Sequence, residues 1–187
     1  KMTGVIRIGS LSAFAIILSP MLSAGEFGNA FSSHEVVQEQ SRIASAEAIG
    51  AIQNLMEGLR LRELGQSEGS EAFLQAAEQL FTSSKLMSDL TELEGFPSFD
   101  LTGDEQQEIL EHLSTTGISV DFPNSFRTFR DAYANFAHLQ VILAEQILTS
   151  LDAVGADERF YGRIASYVEA LFFFADFLPR SSQARMG

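Results

Sequence analysis

From Phe126 to Ile147 bulky side chains recur every three or four positions: Phe126, Phe129, Tyr133, Phe136, Gln140, Leu143 and Ile147. An α-helix turns once per about 3.6 residues, so this spacing stacks them into one stripe. A strand, alternating with a period of two, would scatter the same residues over both faces. Sustained over about three heptads, the stripe predicts the seam of a helix buried against other helices, with Gln140 as its polar member. Asn124 or Ser125 is the expected cap and Gly155 the terminator.

The rest of the chain repeats this signal. Ser32-Ser33-His34-Glu35 reads as a capping box before a helix from about Ser33 to Leu64, with Ile49, Ile52, Met56 and Leu59 on one face. Its earlier half is thin (Ala44, Ala46, Ala48, Gly50, Ala51), so a neighbouring helix can approach closely. Ser70 is the expected cap of a helix from Glu71 to Leu93, stopped by Gly95-Phe96-Pro97. Thr102 to Glu105 forms another capping box, opening a short helix that ends at Gly117 with Ile109, Leu110 and Leu113 inward. Ile118 to Phe122 alternates, which allows one short extended piece, but a strand without a partner is no sheet. Asp157 caps the last helix and Pro179 closes it. The prediction is all-α: a four-helix up-down bundle with one short extra helix and an N-terminal apolar segment.

That N-terminal segment carries its own signal. No charge lies between Arg7 and Glu26, and Ile8 to Ala24 is mostly apolar. Basic Lys1 and Arg7 before it, Pro20 within it and small Ser23 and Ala24 at its close have the order of an export signal. At about the lower length limit for a span, the same stretch would otherwise anchor the chain, leaving the bundle outside the cytoplasm. The expected organisation is residues 1–24 as signal peptide or membrane anchor, 25–33 as spacer, 34–179 as bundle and 180–187 as a frayed tail. The expected location is extracytoplasmic, whether periplasmic, lumenal or secreted, with membrane contact through 8–24.

Charge and composition narrow the function. The formal net charge is −13, which repels a phosphate backbone, so no nucleic-acid partner is expected. Arg60 and Arg62, and Arg127 and Arg130, read as solvated helix flanks. No cysteine is present, which removes disulfides, thiolate nucleophiles and cysteine-ligated metals. The residues three before His34, His112 and His138 are Phe31, Ile109 and Asn135, so the Glu-x-x-His pairs of a di-iron bundle are missing. Gly-x-Ser-x-Gly, Walker and dinucleotide fingerprints are absent as well. Asp100, Asp104, Glu105 and Glu108 lack the spacing of a calcium loop and read as a solvated helix start. His138 is expected at a partly exposed position, His112 as a helix-end dipole contact, and His34 without a ligand partner.

No catalytic residue, metal site or cofactor is therefore expected. In the last helix Phe160, Ile164, Tyr167, Val168, Leu171, Phe174 and Leu178 share one face, while Phe172, Phe173 and Phe177 extend it around the circumference. A helix so apolar is either central in the bundle, the preferred reading, or offers those three phenylalanines to a partner. The leading expectation is a non-enzymatic exported or membrane-tethered bundle that binds another protein, or its own copies, as a structural or accessory subunit. The alternative is an extracytoplasmic small-molecule sensor with a pocket at Tyr133, Gln140 and Tyr167.

Overall fold

The computed structural model describes residues 31–152 and 158–185, with side chains for 39–151 and 158–185. Five helices hold most of it: α1 (Phe31–Glu63), α2 (Gly69–Thr91), α3 (Gly103–Thr116), α4 (Phe129–Asp152) and α5 (Glu158–Gln183). The predicted N-terminal segment, the Ser32/Glu35 capping box and the 153–157 link with Gly155 and Asp157 lie outside the described residues or side chains.

Packing runs α1 to α2, α2 to α4, α4 to α5 and α5 back to α1. Each contact joins antiparallel helices: Met87 of α2 meets Gln140 of α4, and Phe136 of α4 meets Phe174 of α5. The result is the expected up-down four-helix bundle, all α. The short α3 lies against the outside of α5, which is thus covered on three sides.

The α1–α2 pair owes its closeness to small residues. Ala44, Ala48 and Ala51 on α1 and Ala72, Ala76 and Ala77 on α2 are buried. Gly69 sits so near the carbonyl of Gly58 that an added Cβ would lie 3.0 Å from that oxygen. Asn54 Nδ2 donates to Gln79 Oε1 across this interface at 2.7 Å. The seam of α4 fills the centre: Phe129, Tyr133, Phe136, Gln140, Leu143 and Ile147 are all fully buried, while Phe126 precedes the helix and is half-buried.

The connection from α2 to α4 is fastened along its length. Leu101 N donates to Arg127 O at 2.8 Å and Phe129 N to Phe99 O at 2.9 Å, around an isolated bridge between Asp100 and Thr128. Buried Asn135 closes on Asn124 from both sides, accepting its amide at 3.2 Å and donating to its carbonyl at 2.9 Å. Asn124 is thus committed to this clamp, and Thr128 Oγ1 instead takes the Asp131 amide at 3.1 Å, so α4 begins at Phe129. Ile118 to Phe122 has no strand partner and forms no strand.

Other boundaries also differ from the sequence expectation. A turn at Ser67 and Glu68 starts α2 at Gly69, with no side-chain cap from Ser70. The α3 boundaries match: Thr102 and Glu105 make the reciprocal capping box, and Gly117 ends the helix at φ 69°. Leu110, however, faces solvent, while Ile109 is buried and Leu113 half-buried.

The largest departure is at the C-terminus. α5 runs through Pro179 to Gln183, and Ser181 and Ser182 are buried rather than frayed. Proline removes one backbone donor and costs about 3 kcal/mol inside a helix. Two arginines tie the last turns to α3. Arg180 forks onto Glu108 (2.5 and 3.2 Å), and Arg185 onto Glu105 (2.6 and 3.4 Å). Arg185 also donates to Asp100 O at 3.2 Å and lies over the Phe99 ring.

Candidate functional site

The candidate site is a cleft where α1 turns into α2. Leu61 to Gln66 form a Schellman ending: Gly65 takes the left-handed conformation at φ 69°, with Gln66 N donating to Leu61 O and Gly65 N to Arg62 O, both at 2.9 Å. Only glycine adopts that φ without steric cost, so the chain reverses here and places Ser67 and Ser70 opposite Arg62. Beneath them Phe73 of α2 and Tyr161 of α5 supply an aromatic floor, with ring centroids 5.9 Å apart. The cleft is half open to solvent and has a volume of about 270 Å³.

Arg62 is the charged group of this cleft. Its guanidinium carbon sits 4.0 Å from the centroid of the Tyr161 ring, a cation–π stack that fixes its plane. Nη2 donates to Glu158 Oε1 at 2.9 Å, while Nε is buried without a hydrogen-bond partner. The Arg62 side chain is 39% exposed and that of Glu158 is 91% exposed. Arg60, two positions earlier, pairs with Glu57 at the surface and is the solvated helix flank expected of both arginines.

Sequence reasoning missed Arg62 because its setting is made by Tyr161, far along the chain. It also missed the exposed leucines. The antiparallel topology brings Leu64 at the end of α1, Leu74 in α2 and Leu148 in α4 to the end of the bundle that carries the cleft.

The predicted ligand residues are not gathered into a pocket. Tyr133 is buried, its hydroxyl facing Ser41 of α1 without a hydrogen bond of good geometry, and burial pushes the phenol far above its ordinary range. Gln140 is buried too; Nε2 lies 3.2 Å from Met87 Sδ and 3.5 Å from Phe136 O, and Oε1 has no partner. Tyr167 accepts from Gln146 Nε2 at 3.1 Å. Burial raises its phenol, moderated by Gln146 and Arg163. Gln146 lies six residues beyond Gln140, about 9 Å along the helix axis. These three side chains are interior packing at different levels, and none lines the cleft.

The predicted partner surface is likewise covered. Phe177 is fully buried, and Phe172 and Phe173 are half-buried. His112 of α3 stacks on Phe173 with ring centroids 4.2 Å apart at 12°, its Nε2 buried without a partner. His112 is therefore part of the α3–α5 contact rather than a helix-end dipole contact. Phe173 in turn stacks on Phe177 at 5.5 Å. The three phenylalanines form no fully exposed patch, and α3 covers Phe173 through His112. α5 is nevertheless not the central helix expected: Arg159, Arg163, Glu169 and Asp176 keep one of its faces in solvent, and the seam of α4 holds the centre. His138 is half-buried on α4.

At the start of α3, Asp100 and Asp104 are exposed as a solvated helix end would have them, whereas Glu105 and Glu108 are paired with arginines of α5 and its end. Burial alone would raise the Glu105 carboxyl. The Thr102 amide, the Arg185 guanidinium and the Thr102 hydroxyl hold it below its ordinary range. Among the described residues no three His, Asp or Glu side chains are placed to hold a metal ion, and no helix is long and apolar enough to cross a membrane.

No family model matches the chain, and no curated protein and no solved structure is similar to it at a significant level.

Proposed function

We infer that the protein is a non-enzymatic, exported or membrane-tethered helical bundle that binds another protein as a structural or accessory subunit. It docks with the end of the bundle formed by the α1–α2 turn and the close of α4. The observation that carries this reading is the placing of Leu64, Leu74 and Leu148, exposed to 59, 45 and 40%, at that one end. A single exposed leucine is ordinary. Three near one end of the bundle, which also carries a cleft floored by aromatic rings, favour a partner that covers that end. Each leucine fully buried contributes about 1.5–3 kcal/mol.

The N-terminal segment supports the tether. Its basic, apolar and small residues follow the order of an export signal or anchor. α1 begins at the end of the bundle opposite the leucines. The net charge of −13 disfavours a second copy and suits a partner whose apolar patch is rimmed by Lys and Arg.

The test is a native-gel comparison of extracts carrying the wild type and Leu64→Asp/Leu74→Asp, with fractionation and N-terminal sequencing of the native protein. The expected result is an extracytoplasmic complex that the double variant loses while its melting temperature is unchanged. A free monomer, a complex indifferent to both substitutions, or a cytoplasmic chain with its leader intact would refute the reading. The alternative, small-molecule sensing, draws on the cleft of Arg62 rather than on Tyr133, Gln140 and Tyr167.

A further inference from the structure

Arg62 combines three properties that a side chain serving only as a surface ion pair does not need. Stacking on Tyr161 holds its guanidinium plane in place before any ligand arrives. Its one described acceptor, Glu158, makes a single 2.9 Å contact rather than a two-pronged fork, and is 91% exposed. Such a pair contributes little, because water solvates the carboxylate nearly as well. Finally, the guanidinium borders a half-open cleft of about 270 Å³, just below the range of drug-sized ligand pockets and suited only to a small molecule, beside the Phe73 and Tyr161 rings and Ser67 and Ser70.

The geometry points to a binding site for a small organic carboxylate with an apolar body. The carboxylate takes the place of Glu158 on Arg62 in a bidentate contact, the apolar body lies against the Phe73 and Tyr161 rings, and Ser67 and Ser70 border its polar side. A monoanion fits better than a phosphate. One guanidinium neutralises one charge, and Glu63, Glu68 and Glu71, all close in sequence to the turn, would oppose a second. This site gives the sensing reading its ligand class. It is read on the isolated chain, so its failure leaves the docking proposal untouched and the reverse.

The experiment is calorimetric titration of the full chain with benzoate, phenylacetate and hexanoate, with benzamide as the uncharged control. At least one acid is expected to saturate the wild type and to bind about tenfold more tightly than benzamide binds, a difference of about 1.4 kcal/mol. Arg62→Gln should lose about tenfold for that acid. Glu158→Gln, which removes the internal competitor, should bind it several-fold more tightly, a gain that a purely structural Arg62–Glu158 pair cannot produce. Because Glu158 is a surface residue, that variant folds even if Arg62→Gln does not. The proposal is overturned if no acid saturates below about 10 mM, if acid and amide bind alike, or if Glu158→Gln leaves affinity unchanged or weaker.

Discussion

Gly58 of α1 lies against the ring of Phe73 on α2 with room for a hydrogen and nothing larger: a Cβ built on Gly58 would sit 2.7 Å from the ring edge. Phe73 is fully buried and is held at the other side by Phe160 and Tyr161, so the ring can give way only at the expense of those contacts. Alanine normally favours a helix over glycine by about 1 kcal/mol. At Gly58 the clash outweighs that gain, and Gly58→Ala is expected to destabilise by about 1–2 kcal/mol. Gly162 on α5 meets nothing within 4 Å, so Gly162→Ala should stabilise by about 0.5–1 kcal/mol. Urea unfolding of both variants decides it; equal signs would mean that the α1–α2 spacing is not set by this contact.

Phe173→Asp separates packing from partner binding. With Phe173 stacked between His112 and Phe177, the charge would enter a half-buried aromatic layer. A loss of at least about 2 kcal/mol in the isolated protein is expected. A variant as stable as the wild type would restore the phenylalanines as a contact surface.

Tyr133→Phe should cost nothing and can gain up to about 1 kcal/mol. The Tyr133 hydroxyl is buried and lacks a hydrogen bond of good geometry, so folding strips it of water without full replacement. Thermal melting of the purified variant is the check, and a loss above about 1 kcal/mol would show that Ser41 satisfies the hydroxyl after all.

The Arg185–Glu105 pair predicts a pH-dependent contribution. The folded Glu105 pKa is depressed, so its stabilisation is complete above the unfolded carboxylate value, about 4.3, and is lost as pH falls through the folded value. Arg185→Gln should cost about 1–2 kcal/mol at neutral pH, and the cost should shrink as acid protonates Glu105. Melts of both proteins across this range test it. A cost independent of pH would assign Arg185 to its contact with the Phe99 ring instead.

The helices were legible because their evidence is local. A spacing of three and four residues, and the Thr102/Glu105 capping box, require nothing beyond neighbours in the chain. The errors fall where a distant residue decides. Asn124 resembles a cap until Asn135 claims it, and Pro179 resembles a stop until Glu105 and Glu108 hold the following turn. The same holds for the candidate site. Arg60 and Arg62 look alike in sequence, and only the placing of Tyr161 separates a solvated arginine from a stacked one.

The attachment of α3 sets an order in which the molecule comes apart. This helix buries only Ile109 and Thr116, whereas each bundle helix contributes a long stretch of the central core. Its amides should therefore exchange with solvent hydrogen through openings much cheaper than global unfolding. Each such opening would strip the His112 ring from Phe173 while the four long helices stay closed, so the aromatic side of α5, half-buried in the closed state, is the part of the native protein that water is expected to reach first.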